Sequence, residues 1–219
     1  RGRIGRFLLY RYVLPRADHI FVQSEFMKND LLAKNITAAK MTAVPMGVDT
    51  ECIAPGPVPD AVRAQLEGRR VLLYLGQLDR TRRIEVLFDA LALVRERDPS
   101  AVLLVVGDTD DLSQHARLQR LAQQAGVQDH VIWTGWVPID EAWGYVALSD
   151  IGLSPIPRGP LLDCSSPTKI VEYLALGLVT VCNDNPDQAA IMAATGAGRC
   201  VPYEPEAFAK AVLALLEAP

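Results

Sequence analysis

From residue 71 onward, six apolar runs of strand length alternate with six longer stretches of helical period, and nothing else in the sequence restricts the fold as much. The runs cover 71–76, 101–107, 131–135, 151–156, 179–183 and 199–203; the helical stretches cover 84–97, 113–125, 139–148, 168–176, 186–195 and 205–217. Strands that are apolar throughout and separated by helices belong to a parallel sheet covered on both faces. The expected fold is therefore α/β: a doubly wound, mostly parallel, six-stranded Rossmann-like sheet with helices on both faces. Several strands run directly into Gly or a short polar residue, namely Gly76, Gly107 with Asp108, Gly135, and Asn183 with Asp184. Ligands of open α/β sheets lie beyond those carboxyl ends, so that edge is where chemistry is expected.

Upstream the pattern changes. Residues 54–59 hold three prolines and a glycine, a stiff stretch that continues neither helix nor strand. A boundary is expected there, with a first unit over 1–53, a linker over 54–69 and the main domain over 70–219. Before it, a strand at 19–23, a helix at 24–34 and a strand at 41–44 make one β-α-β unit, a remnant that cannot cover both of its own faces and so is expected to belong to a neighbouring sheet. The chain begins with Arg and shows no initiator Met or signal-peptide pattern, so it reads as a piece of something longer. The net charge of −4 gives no general attraction to nucleic acid. The longest apolar runs are far short of the roughly 20 residues of a membrane span. Cys52, Cys164, Cys182 and Cys200 include no C-x-x-C pair, which points to free thiols in a reducing cytoplasm and to no metal site.

Two segments at the carboxyl edge carry candidate chemistry. In residues 163–177, Ser166 reads as an N-cap, Pro167 as the first helical residue and Gly177 as the stop. The amides of Thr168 and Lys169 then emerge from a positive helix end beside an ammonium, an arrangement that binds phosphate, with Glu172 one turn along. The competing reading is an ordinary capped helix with an exposed Lys-Glu pair. In residues 76–83, Arg80, Arg82 and Arg83 cluster after Gly76 as a pyrophosphate clamp or, alternatively, a solvated basic turn. No G-x-G-x-x-G fingerprint and no G-x-S-x-G elbow occurs. Asp108, Asp110 and Asp111 read as a solvated loop, and His19, His115 and His130 lack a nucleophile partner. Cys164 lies near a helix start that would depress its pKa.

Taken in order, these pieces resemble the group 1 retaining glycosyltransferases, which have two facing Rossmann-like domains (the GT-B fold). The matching stretches are Gly76-Gln-Leu, Arg82-Arg83, Val106-Gly-Asp, Thr134-Gly-Trp-Val and Pro167-Thr-Lys-Ile-Val-Glu-Tyr-Leu-Ala-Leu-Gly177. Upstream, Ala17-Asp-His-Ile-Phe-Val-Gln-Ser-Glu and Val44-Pro-Met-Gly-Val-Asp49 look like the end of the family's acceptor domain and its hinge. The resemblance implies sugar transfer with retention from a nucleotide-diphosphate sugar, without a cofactor or metal, to a glycan or lipid-linked acceptor held mainly by the other domain. Arg82, Lys169 and Glu172 are then the expected catalytic set, with Glu172 on the ribose hydroxyls and Arg82 on the diphosphate. The expected donor contacts are Gly76, Gln77, Arg83, Trp136, Val137, Asp163, Cys164, Ser165, Ser166 and Thr168. Cys164 stands where the family's first glutamate is expected, and Asp163 is the candidate replacement. Gln77 and Arg83 also depart from the pattern. On this reading the present chain binds donor nucleotide and by itself transfers little sugar. Two alternatives stay open: a nucleotide-sugar epimerase of the same fold, and a degenerate nucleotide-binding or interaction module.

Residues 1–16 carry five arginines, no acidic residue and interleaved apolar side chains. They read either as a helix of the neighbouring domain or as a peripheral contact with the inner face of the membrane, the latter suiting a cytoplasmic enzyme with a lipid-linked acceptor.

Overall fold

The structure, a computed structural model, describes residues 2–217. The main domain holds six strands, β3 (Arg70–Leu75), β4 (Ala101–Val106), β5 (Val131–Gly135), β6 (Ile151–Ser154), β7 (Thr180–Asn183) and β8 (Gly198–Val201), in the order β5-β4-β3-β6-β7-β8. Every pairing between them is parallel. This is the expected doubly wound sheet, and its order reverses between β3 and β6.

The strands are apolar on both faces because helices cover both. Alternate side chains point to opposite sides. Leu72, Tyr74, Leu103 and Val105 pack under α5 (Val86–Arg95), α6 (Leu112–Gln124) and α10 (Pro205–Leu216). Val71, Leu73, Leu104 and Val106 pack against α7 (Ile139–Ala147) and, through Leu66, against α4 (Asp60–Leu66). On the same side, α8 (Thr168–Ala175) and α9 (Pro186–Thr195) meet around Ile170, Cys182 and Met192. Each of the six expected strands and helices is present, with ends moved by a few residues at most.

The stretch expected as linker is more structured than its prolines implied. It contains α4, and its Pro-rich part is seated on α7: a Cβ on Gly56 would lie 2.1 Å from the Asp140 carbonyl oxygen, and one on Gly144 2.2 Å from the Gly56 oxygen. Two glycines facing each other let these backbones touch.

The first unit is a two-stranded parallel sheet, β1 (Ile20–Val22) with β2 (Met41–Ala43), connected through α3 (Glu25–Leu32). Its small core is Val22, Leu31, Ile36 and Met41. The basic amino-terminal stretch is helical over residues 2–16, with a π turn at Leu9–Val13 between α1 (Gly2–Leu8) and α2 (Leu14–Arg16). Tyr10 and Leu14 rest on the small core, while Ile4, Phe7 and Val13 stay exposed. Among the described residues no helix is long and apolar enough to cross a membrane.

Candidate functional site

The reversal of strand order opens a crevice beyond the ends of β3 and β6. Crevices of this kind are where doubly wound sheets hold ligands. β3 runs into Gly76 at φ 143°, whose amide donates to the Val106 oxygen at 2.9 Å. Gly107 lies against it at φ 135°, and a Cβ there would fall 2.1 Å from the Gly76 oxygen. Only glycine fits at this second contact, and it brings the loops after β3 and β4 together.

On the other side of the crevice stands α8. Lys169, in its first turn, is only 9% exposed and lies close to Gly76, where a Cβ would sit 3.4 Å from its Nζ. The ammonium lies 4.4 Å from the centre of the Tyr74 ring, a cation-π contact. Among the described residues it forms no ion pair. Burial, reinforced by the Arg82 guanidinium and opposed by Glu172 and Asp79, brings its pKa down to about 7. Burial also pushes the Glu172 carboxyl above the usual range, against the pull of Lys169. Arg82 joins them from the β3 side, its Nε 3.7 Å from Asp79 Oδ2. In place of the exposed Lys-Glu pair of the competing reading stand a buried Lys169, unpaired among the described residues, and a half-buried Glu172.

The crevice has two connected lobes. The smaller, about 440 Å³, is lined by Gly76, Gln77, Arg82, Ser165, Ser166, Thr168, Lys169 and Glu172. The larger, about 890 Å³, lies beyond β3, β4 and β5 and is lined by Asp79, Asp108, Asp110, Asp111, Trp136 and Val137. Leu75, Gly76, Gln77 and Ile139 border both lobes. Trp136 stands at the rim, 75% exposed. The structure thus brings together all three expected catalytic residues and most of the expected contacts, and adds two residues of the first unit that the sequence did not indicate, Gln23 and Met46. Tyr74 was also missed, because inside an apolar strand an aromatic residue carries no sign that it will floor a cation.

Four expectations are corrected. Ser166 does not cap α8: the helix starts at Thr168, as its periodicity implied, but Pro167 occupies the N-cap position in an extended conformation, and the Ser166 hydroxyl bonds elsewhere. Asp163 does not reach the crevice, because Arg158 holds both of its oxygens, at 2.8 and 3.3 Å, and the Gly159 amide donates to it. Burial opposes ionisation there, but these donors keep its carboxyl below the usual range. Cys164 lies four residues before the helix it was expected to feel. Burial, helped by the Asp30 charge, pushes its thiol up. Arg83, at φ 48°, turns away from the crevice to lie 5.8 Å from the centre of the Tyr203 ring. Arg80 diverges too, reaching Ser113, so only Arg82 of the three arginines faces the crevice.

Residues 69–218 match the family model "Glycosyl transferases group 1", and residues 1–52 match "Glycosyltransferase Family 4". The chain belongs to the group 1 glycosyltransferases. A curated relative, the GDP-mannose-dependent alpha-(1-6)-phosphatidylinositol monomannoside mannosyltransferase of Mycolicibacterium smegmatis, is 31% identical over 151 residues, which is 67% of this chain and 39% of the relative. The chain thus spans about two fifths of that protein. Among solved structures, Anabaena Alr3699/HepE in complex with UDP and glucose superposes with a TM-score of 0.75 at 17% identity, covering 98% of this chain and 56% of that one. Sucrose-phosphate synthase from Thermosynechococcus elongatus superposes at 0.74 with 22% identity, over 97% of this chain and 52% of that one. At these identities the structural likeness speaks for the fold, the Rossmann-like carboxyl-terminal half of a GT-B glycosyltransferase.

Within this group 1 domain, the smaller lobe is electrostatically suited to a diphosphate. The first-turn amides of α8 have no partner inside the helix and carry the positive end of its dipole. Lys169 and Arg82 add two cations, and preorganised positive charge of this kind favours a leaving group on which negative charge builds up.

Proposed function

We propose that this chain is the donor-binding part of a retaining glycosyltransferase that takes a nucleotide-diphosphate sugar and delivers the sugar to an acceptor held mainly by the facing domain. The observation that carries this reading is the buried Lys169 ammonium, which meets no carboxylate at ion-pair distance and opens, with Arg82 and the α8 amides, onto a crevice at the strand-order reversal. The diphosphate lies in the smaller lobe against these donors. Glu172 accepts from ribose hydroxyls, and the nucleoside occupies the larger lobe beside Trp136 and Val137. Departure of the nucleoside diphosphate is stabilised by Lys169 and Arg82, with no metal or other cofactor needed to neutralise it. The GDP-mannose dependence and phosphatidylinositol monomannoside in the relative's name support GDP-mannose as donor and a lipid-linked acceptor.

Calorimetric titration of the chain with GDP, UDP and ADP tests this, with Glu172→Ala and Arg82→Ala as variants. Saturable binding of GDP, weakened at least tenfold in both variants, is the expected result. Failure of a folded chain to bind any nucleotide would refute it. The anomeric configuration of the product formed by the protein with its facing domain tests retention.

A further inference from the structure

The Ser166 hydroxyl, displaced from its expected capping role, makes two bonds at a junction. It donates to Asp187 Oδ2 at 2.8 Å and accepts from the Met46 amide at 2.9 Å. The direction is chemically forced: a backbone amide only donates and a carboxylate only accepts, so a hydroxyl between them must do both. Met46 belongs to the loop after β2, in the first unit, and lines the smaller lobe with Gln23. Asp187 is the second residue of α9, in the main domain. It makes no ion pair among the described residues. A second bond of the same kind lies nearby: Ser24, which caps α3 by accepting from the Met27 amide, donates to the Cys164 oxygen at 2.9 Å. The first unit is thus fastened to the segment before α8 at two points, Ser24 next to Gln23 and Met46 after β2.

We propose that Asp187 is a positioning residue of the donor site: by taking the Ser166 proton it turns the hydroxyl lone pair to the Met46 amide, and so holds the first unit over the mouth of the Lys169 lobe. The consequence for donor binding rests on the function proposed above; the mechanical part does not. A carboxylate in the first turn of a helix also has an ordinary role, favourable interaction with the helix dipole. That role involves neither Ser166 nor Met46, and this difference makes the two separable.

The test uses this chain with Asp187→Ala, Asp187→Asn, Ser166→Ala and the double variant Asp187→Ala/Ser166→Ala, read by hydrogen exchange at the Met46 amide and by calorimetric titration with GDP. UDP is the second nucleotide probe. If Asp187 acts through Ser166, either alanine variant raises Met46 exchange about tenfold and weakens nucleotide binding about three- to tenfold, as loss of one hydrogen bond implies. The double variant is then no worse than Ser166→Ala alone. Asp187→Asn, whose carbonyl oxygen still accepts from the hydroxyl, restores Met46 protection. Additive losses, or unchanged Met46 exchange in a folded Asp187→Ala chain, would overturn the proposal and leave only the dipole role. If no variant, and not the parent chain, binds either nucleotide, the function proposed above fails while the exchange data still decide the relay.

Discussion

Because Lys169 is half-neutral near pH 7, donor binding should consume a proton, and the amount follows from the site itself. Moving this ammonium from the ordinary 10.5 down to about 7 represents on the order of 5 kcal/mol of electrostatic cost, at about 1.4 kcal/mol per pH unit. The cost comes chiefly from burial, with Arg82 adding to it. The negative charge of a diphosphate set against Nζ would offset both causes and return the pKa toward its ordinary value. At pH 8, roughly nine tenths of empty sites are neutral for a pKa of about 7. Binding there should take up close to ~0.9 proton per nucleotide, and affinity should fall almost tenfold for each pH unit between 7.5 and 9. Below pH 6 the dependence on Lys169 vanishes, since the empty site is already charged. The range above 7.5 also avoids the terminal phosphate, which titrates near about 6. The assay is GDP titration at pH 8 in two buffers of different ionisation heat, since the apparent enthalpy differs by the protons taken up times the difference in ionisation heat. Arg82→Ala removes one cause of the depression, so whatever binding remains should take up less proton at pH 8. An enthalpy independent of buffer at pH 8, in a chain that binds GDP, would refute the assignment of the diphosphate to Lys169.

Stability carries the same signature with the ligand absent. Lys169 has a folded pKa below its unfolded one, so the unfolded chain holds more protons between about 7 and 10.5; stability should rise with pH through that window, and the burial cost is present in full below it. Lys169→Met should therefore raise the unfolding free energy at pH 6 by ~1–3 kcal/mol, read from denaturant unfolding, while abolishing GDP binding. Gly107→Ala should cost at least ~3 kcal/mol in denaturant unfolding, because it combines a left-handed φ of 135° with a Cβ 2.1 Å from a backbone oxygen that cannot retreat. Trp136→Ala should leave stability within ~0.5 kcal/mol, as an exposed side chain implies, yet weaken GDP binding about tenfold through lost stacking on the base; equal affinity for GDP would place the base elsewhere.

The sheet was legible in the sequence because a parallel strand buried on both faces must be apolar throughout: Ala101–Val106 has no polar residue and is buried along its whole length. The helix at Pro186–Thr195 was placed to the residue, since Pro at its start and Gly196 at its end admit few alternatives. Lys169 and Glu172 stood out because a helix start is a local feature, whereas Arg82 was singled out from Arg80 and Arg83 by the family resemblance alone. What escaped was non-local. Asp163 is adjacent to Cys164 and near Ser166 in the chain, but its carboxylate is taken by Arg158, a pairing that depends on how the loop folds back. Arg83 follows Arg82 directly, yet a positive φ sends it toward Tyr203. Gln23 and Met46 reach the crevice only because a second unit docks there, and no spacing within residues 71–217 encodes that contact.

The charge arrangement explains why a buried lysine is kept where a hydrophobic residue would fold better. Lys169 and Arg82 in the smaller lobe are opposed by Glu172 beside them and by Asp79 from the larger lobe, but the acids are spent unequally. Asp79 accepts from the Thr81 amide and hydroxyl and stands 3.7 Å from Arg82, while Glu172 is itself pushed toward its neutral form by burial. Lys169 is left with the Tyr74 ring and no full counter-charge. An ordinary structural lysine in that position would be paired or would reach water along its own stem. The lobe is consequently short of negative charge, and Gly76 on its border lets a ligand come within contact of the backbone. On the function proposed above, a dianionic group would restore the balance, and the free energy withheld from folding at Lys169 would be released on binding. This account requires the two quantities to move together: any substitution that raises the Lys169 pKa by supplying a carboxylate, such as Gln77→Glu at the border of the lobe, should stabilise the empty chain near pH 7 and weaken GDP binding by a similar free energy. Stabilisation without loss of affinity would break the link between the buried cation and the ligand.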